Sequence, residues 1–263
     1  MTLAAPGAVP QQGPSAGGQR IVIPAYSYPS PTALWDGGIA AADAVQFMIA
    51  NPADGPGVIA DSNYVAVLER VKASGIRVMG YVDTRYGERP VALVKADVDA
   101  WESLYGVTDA FLDQTASSPH ELPYYLEIGD RIRMTPGAVV MFNSGNNVDE
   151  HYLHVADILN IFEGSRSAYA AFKPAEWTDA YPRSRFSHLI YDVPDEAGLD
   201  AVLRQSVAQR AGYVYVTSET LPHPWGALPP YWDAEVARIA QARAEAAADT
   251  SLFPLRKWLR RRS

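Results

Sequence analysis

The 263-residue chain is 48% hydrophobic, carries a formal charge of −8 and contains no cysteine. That composition supports a full core, organised as one large α/β domain, and the missing cysteine excludes disulfides, thiolate metal sites and a cysteine nucleophile. The charge is uneven. Arg256, Lys257, Arg260, Arg261 and Arg262 fall in the last twelve residues with no acid among them, leaving 17 basic against 30 acidic residues in the body. Such a body repels a phosphate backbone, which argues against nucleic-acid binding.

Residues 1–20 (MTLAAPGAVPQQGPSAGGQR) are rich in Pro, Gly, Gln and Ala and read as a flexible arm. They have neither the basic start nor the apolar run of a secretory signal, so the sequence as written predicts a cytoplasmic protein. No stretch approaches the roughly 20 apolar residues of a membrane span. The tail, 248–263, interleaves Leu252, Phe253, Leu255, Trp258 and Leu259 with arginines. It reads as a frayed, solvated helix end, with contact to an anionic membrane surface or a partner as the alternative.

In chain order, residues 21–25 (IVIPA) form a continuous apolar run, as expected of a strand buried on both faces. A helix over 33–43 and a strand over 45–50 follow, and then the turn-rich loop NPADGPG at 51–57. Asp61 is placed to cap a helix over 62–73, which Gly75 ends. The central unit has strands at 77–82 and 110–113, with a crossover helix over 90–104 between them. A connection of that length joins parallel strands. Further helices are expected at 121–133, 151–155, 175–181, 195–209 and 230–247. Further strands are expected at 138–142, 157–162, 188–191 and 213–216.

Eight strands, each followed by a helix-length segment, predict a single (β/α)8 TIM-type barrel over 21–247. A doubly wound open sheet is the alternative. It needs fewer strands and usually a glycine-rich phosphate loop, and no G-x-G-x-x-G or G-x-x-x-x-G-K-[ST] pattern occurs.

In a barrel, the carboxyl ends of the strands converge on one cup. Here those ends carry Tyr26, Asn51, Tyr81 or Asp83, Asp113 with Gln114, Asn143, Glu163, Asp192 and Ser218. The set is rich in carboxylates, amides and phenols and poor in cations, which suits a neutral sugar better than a phosphate ester. Tyr28, Tyr86, Trp225, Tyr231 and Trp232 offer aromatic faces for sugar C–H groups. Asp113 and Glu163 are the candidate catalytic pair, since glycoside cleavage needs two carboxyl groups flanking one bond. Tyr26, Asn51, Tyr81, Asp83, Gln114, Asn143 and Asp192 are candidate substrate contacts. Asp83 has Arg85 and Arg89 nearby and reads equally well as half of an ion pair. His151 and His154 lie three apart with no third ligand suggested, so no metal or other cofactor is expected. No G-x-S-x-G elbow supports a serine nucleophile.

Six blocks resemble the spherulin-4 (spherulation-specific) family: NPADGPG at 51–57, DSNY at 61–64, GYVDTRYG at 80–87, DVDAW at 97–101, YGVTDAFLDQ at 105–114 and HLIYDVP at 188–194. The resemblance covers roughly residues 21–235. The family is similar to glycoside hydrolases that cut galactosamine-containing exopolysaccharides on a (β/α)8 barrel with an acidic groove. The resemblance thus implies that fold, a carbohydrate partner and a hydrolytic site. Hydrolytic members carry Asp-Glu after the fourth strand and Glu after the sixth. Asp113 and Glu163 match the first and third of these, while Gln114 stands in place of the second. A carboxamide neither protonates a leaving group nor attacks as a carboxylate. The sequence also departs at Asn143-Ser144-Gly145, where Pro commonly follows the Asn.

The expected activity is cleavage of a galactosamine-type poly- or oligosaccharide by Asp113 and Glu163. Two alternatives stand beside it: a non-catalytic carbohydrate-binding barrel in which Gln114 has ended hydrolysis, and a barrel recruited to a specialised intracellular pathway.

Overall fold

Eight apolar runs form parallel strands in the computed structural model, which describes residues 18–259, with side chains through residue 248. The strands are β1 (Arg20–Ala25), β2 (Val45–Ala50), β3 (Arg77–Asp83), β4 (Asp109–Asp113), β5 (Val140–Asn143), β6 (Ile158–Ser165), β7 (Phe186–Tyr191) and β8 (Tyr213–Val216). They pair in sequence order and β8 returns to β1, closing the barrel. Around them lie α1 (Ala33–Ala40), α2 (Ser62–Ala73), α3 (Val91–Tyr105), α4 (Leu122–Arg133), α5 (Arg166–Ala171), α6 (Glu196–Ala208) and α7 (Trp232–Leu259). The expected TIM-type barrel is the fold, and the open-sheet alternative falls.

Local chemistry accounts for several of these boundaries. Asp61 caps α2 by accepting from the backbone N–H groups of Asn63 and Tyr64. Gly106 ends α3 at φ 58°, a left-handed stop that glycine takes without steric cost. At the floor of the barrel, Arg77 donates twice to Asp109, each bond 2.6 Å long, and ties β3 to β4. Gly80 faces outward, where a Cβ would lie 2.4 Å from the Trp101 ring. The absent side chain is what lets α3 lie close on β3, with the Trp101 indole donating to the Tyr81 carbonyl.

The seam between β1 and β8 is short, with only Arg20↔Tyr213 and Ile21↔Val214 in register. Above it the buried Glu235 of α7 accepts from the Val216 N–H at 3.1 Å, and Tyr26 N–H donates to the Trp225 carbonyl at 3.1 Å. Burial holds the Glu235 carboxyl well above the usual range, against the bond from the Val216 N–H that favours its ionised form.

Several boundaries differ from the sequence reading. The helix expected over 151–155 is a 3-10 turn at Glu150–His154, α1 stops at Ala40 rather than 43, and β5 and β7 have ends shifted by one or two residues. The arm expected over 1–20 gives way by Gln19, which is buried and donates to Ser206 Oγ and the Ala211 carbonyl; Arg20 opens β1. The rest of the expected arm, 1–17, lies outside the described residues. β6 runs three residues past the expected end, and α5 follows it directly, capped by Ser165, whose hydroxyl accepts from the Ala168 N–H. The expected helix over 175–181 is a 3-10 turn at Glu176–Ala180. Finally, α7 continues through Leu259 into the expected tail, whose side chains from residue 249 on lie outside the described residues. No helix among the described residues is long and apolar enough to cross a membrane.

Candidate active site

The strand ends enclose a cavity of about 340 Å³. Tyr26, Asn51, Tyr81, Asp113, Asn143 and Glu163 line it together, joined by Asp54, Leu189 and residues 221–226 of the loop after β8. Six of the nine predicted site residues therefore meet in one place. Asp54, Asp113 and Glu163 give the lining three carboxylates, and no lysine or arginine belongs to it.

Each side chain is aimed by its strand. Asp113 is the last residue of β4, beside Asp83 of β3 in register. Two residues earlier on both strands, Tyr81 pairs with Phe111 on the same inward face. Tyr81 Oη donates to Asp113 Oδ2 at 2.9 Å. Asn143 ends β5, and its single Nδ2 donates to Asp113 Oδ1 at 2.7 Å and to Glu163 Oε2 at 2.6 Å. One amide nitrogen thus grips both carboxylates.

Glu163 reaches the cavity through an irregularity in β6. The register against β7 slips between Asn160 and Phe162, so Asn160 pairs with Ser187 but Phe162 pairs with His188. A bulge of this kind adds one residue and re-aims the side chains beyond it. Asn160 and Glu163, three apart, consequently both face inward, whereas unbroken alternation would put them on opposite faces. Phe162 turns outward to pack on Tyr169, Phe172 and the buried His188.

Burial is the main cause that raises Glu163 to a pKa of about 7, reinforced by the charge of Asp113 and opposed by hydrogen bonds from Asn143 and Trp225. Asp113 is also raised by burial, against the bonds from Tyr81, Asn143 and the Gln114 N–H that favour its ionised form. At a pKa of about 7 Glu163 is partly protonated near neutral pH, as a group that gives and takes a proton requires. Burial and the nearby charges of Asp113 and Glu163 hold the Tyr26 phenol well above its ordinary value, so it remains a donor.

Three predicted site residues lie outside this lining. Asp83 Oδ1 accepts from the Arg85 N–H at 2.9 Å, and its other oxygen is 3.4 Å from Arg85 Nε, so the ion-pair reading fits its place. Gln114 is exposed, at φ 48°. That left-handed backbone follows the last residue of β4, and Gln114 is not part of the cavity lining. Asp192, also left-handed at φ 61°, lines a separate hollow with Arg166, Ser167 and Gln205. Ser218 is outside the cavity lining too. Of the aromatic candidates, Trp225 lines the cavity, Tyr231 and Trp232 are buried in the core, and Tyr28 and Tyr86 are exposed.

Sequence reasoning missed Asn160, Asp54, Leu189 and most of the loop at 221–226. Asn160 left a signal, because an amide inside the apolar run ILNIF needs a buried partner. His151 and His154 have rings 5.6 Å apart, and His151 Nδ1 lies 2.7 Å from Asp149. Among the described residues, no group of three or more His, Asp or Glu is placed to hold a metal ion.

With that geometry in view, comparison with known proteins is specific. The family model described as spherulation-specific family 4 matches residues 20–239. Spherulin-4 of Physarum polycephalum is 31% identical over 212 residues, covering 75% of this chain and 63% of the relative, so the chain spans less than two thirds of that relative's length. Among solved structures, Aspergillus clavatus Sph3 in complex with GalNAc superposes with a TM-score of 0.74 at 26% identity, covering 85% of this chain and 98% of Sph3. A chitinase from Rhizomucor miehei, at 11% identity and a TM-score of 0.52 over 85% of this chain and all of the chitinase, shares the barrel fold. The match to the family model and the Physarum relative together make the chain a member of spherulation-specific family 4.

Proposed function

We propose that the protein is a glycoside hydrolase acting on an amino-sugar polymer, with Asp113 and Glu163 as its working pair. The observation that carries the reading is the shared bond from Asn143 Nδ2 to both carboxylates, inside a cavity where Glu163 titrates at about 7. Two oxygens bound to one planar amide nitrogen are separated by roughly 4.5–5.3 Å. That separation is close to the 5–5.5 Å or so of a pair in which one carboxylate attacks directly, and short of the 6.5–9.5 Å or so that leaves room for a water.

In this mechanism Asp113, held by Tyr81 and Asn143, attacks the anomeric carbon while protonated Glu163 gives its proton to the departing glycosidic oxygen. The bond to the leaving sugar breaks and a glycosyl ester forms on Asp113. Glu163, now a carboxylate, takes a proton from water, which attacks the same carbon and frees Asp113. The product keeps its anomeric configuration.

The lining supports the substrate class. Three carboxylates and no lysine or arginine disfavour anionic ligands, while hydroxyls and an ammonium group both suit them. The GalNAc in Sph3 supports a galactosamine-type ring. The exposed position of Gln114, away from the cavity, favours hydrolysis over the binding-only alternative, because its carboxamide replaces no group in the lining. The test is release of reducing ends from acetylated and de-N-acetylated galactosaminoglycan. Release that Asp113→Asn abolishes is the expected result. Full turnover in Asp113→Asn overturns it.

A further inference from the structure

Beside the cavity, the chain leaving β3 forms a lip in which Arg85, Tyr86 and Gly87 have φ of 46°, 56° and 89°. Two consecutive non-glycine residues in the left-handed region are rare, and such geometry persists only where its surroundings fix it. Here they do. Tyr86 N–H donates to the Gln114 carbonyl at 2.6 Å, Thr84 N–H to the Asp113 carbonyl at 3.0 Å, and both Gly87 and Arg89 N–H groups return to the Thr84 carbonyl. Thr84 Oγ1 bonds the carbonyls of Asp113 and Gln114. Asp83 accepts from the Arg85 N–H, and Tyr124 Oη donates to the Arg89 carbonyl from below. Gly87 sits against Glu121, where a Cβ would come within 3.2 Å of its Cγ.

The lip is therefore rigid, and what it presents is a ring: Tyr86 is 57% exposed. A folded chain gains nothing in stability by holding an aromatic side chain in water on a strained backbone. The Tyr86 backbone N–H is bonded to the carbonyl of Gln114, the residue after Asp113, so the lip that carries the ring is tied to the end of β4. An open aromatic side chain on that fixed backbone fits the C–H face of a neighbouring sugar unit.

We propose that Tyr86 is the stacking platform of an outer subsite, which takes a sugar ring of the polymer next to the one held in the cavity. The proposal rests on the carbohydrate reading of the cavity. It also gives Asp83 and Gln114 a role: one anchors Arg85, and the backbone of the other carries Tyr86.

The experiment measures binding of galactosamine and N-acetylgalactosamine monosaccharides, and of their oligomers of increasing length, by calorimetry on the inactive Asp113→Asn protein. Added to this background are Tyr86→Asn, which removes the ring but tolerates the left-handed backbone, and Tyr86→Trp, which keeps an aromatic face. Expected is monosaccharide affinity unchanged in all three proteins, with oligomers bound about tenfold more weakly by Tyr86→Asn alone. Unfolding temperatures of the variants check that the lip remains intact. Equal oligomer affinity with and without the ring overturns the platform and leaves the cavity reading standing. Failure of the Asp113→Asn background to bind any of these sugars overturns both.

Discussion

Asn160 Nδ2 donates to Asn143 Oδ1 at 2.7 Å from a position with no solvent exposure. That bond decides which way the Asn143 amide faces. With its oxygen engaged from inside the barrel, the nitrogen must point at Asp113 and Glu163, and it is the nitrogen that both carboxylates need. A flipped amide would set a carbonyl oxygen against two acids.

Asn160→Ala removes the constraint without touching the cavity lining. Asn143 Oδ1 is then left buried without its donor, at a stability cost of about 1–3 kcal/mol. Turnover is expected to fall about ten- to hundredfold, as is usual when an outer partner that orients a working group is lost, with KM little changed. A purely structural Asn160 would leave turnover per folded molecule intact, so the assay is run at a temperature where thermal unfolding curves show both proteins folded.

The Glu163 proton sets the pH behaviour. As the acid, Glu163 works only while protonated, so kcat is expected to fall as pH rises through about 7. Its folded pKa lies above the ordinary 4.5, so its contribution to stability is full below about pH 4.5 and lost as pH rises through about 7. The loss is on the order of 3 kcal/mol from that shift. Glu163→Gln takes no part in the titration. It should therefore be inactive, yet less sensitive than the parent to a move from pH 5 to pH 8 in denaturant unfolding. Equal pH sensitivity in both proteins would remove Glu163 from the account.

Gln114 stands where the family resemblance implies a glutamate, which from sequence alone left both lost and retained activity open. It is exposed, at φ 48°, and is absent from the cavity lining. Gln114→Glu is accordingly expected to change reducing-end release by less than about threefold, since an exposed carboxylate interacts weakly through water. Activity that appears only in Gln114→Glu would restore the binding-only reading for the natural chain.

The barrel was legible because continuous apolar runs such as VQFMIA and YVYV sit at regular spacing, with turn residues between them. Asp113, Asn143 and Glu163 were legible as polar residues at the ends of such runs. Strand alternation left only one of positions 113 and 114 needing to face the cup, but which of the other strand-end polar groups join it was not legible. Gln114 and Asp192 have left-handed backbone and lie outside the lining, and no residue in either position advertises positive φ as a glycine does. The inward turn of Glu163 depends on a bulge that pairing creates, so no periodicity in ILNIFE reveals it. The loop at 221–226 enters the site only by folding over the β1–β8 seam, a long-range contact without a local signature.

The close approach of α3 to β3 gives a stability prediction that is independent of any ligand. At Gly80 a methyl group would lie 2.4–2.6 Å from three atoms of the Trp101 ring. The ring is 2% exposed and its nitrogen is bonded to the Tyr81 carbonyl at 2.8 Å, so it has little freedom to withdraw. Gly80→Ala should push α3 off the sheet and cost about 1–3 kcal/mol or more, as overpacking of a tight core does. Because Tyr81 is the next residue and holds Asp113, displacement here should also slow turnover. Trp101→Phe in the Gly80→Ala background shrinks the obstacle and should recover part of the lost stability, although Trp101→Phe alone is destabilising. Such a sign reversal in a double-mutant cycle is the mark of a steric contact. Additive losses would mean that Gly80 matters for some other reason.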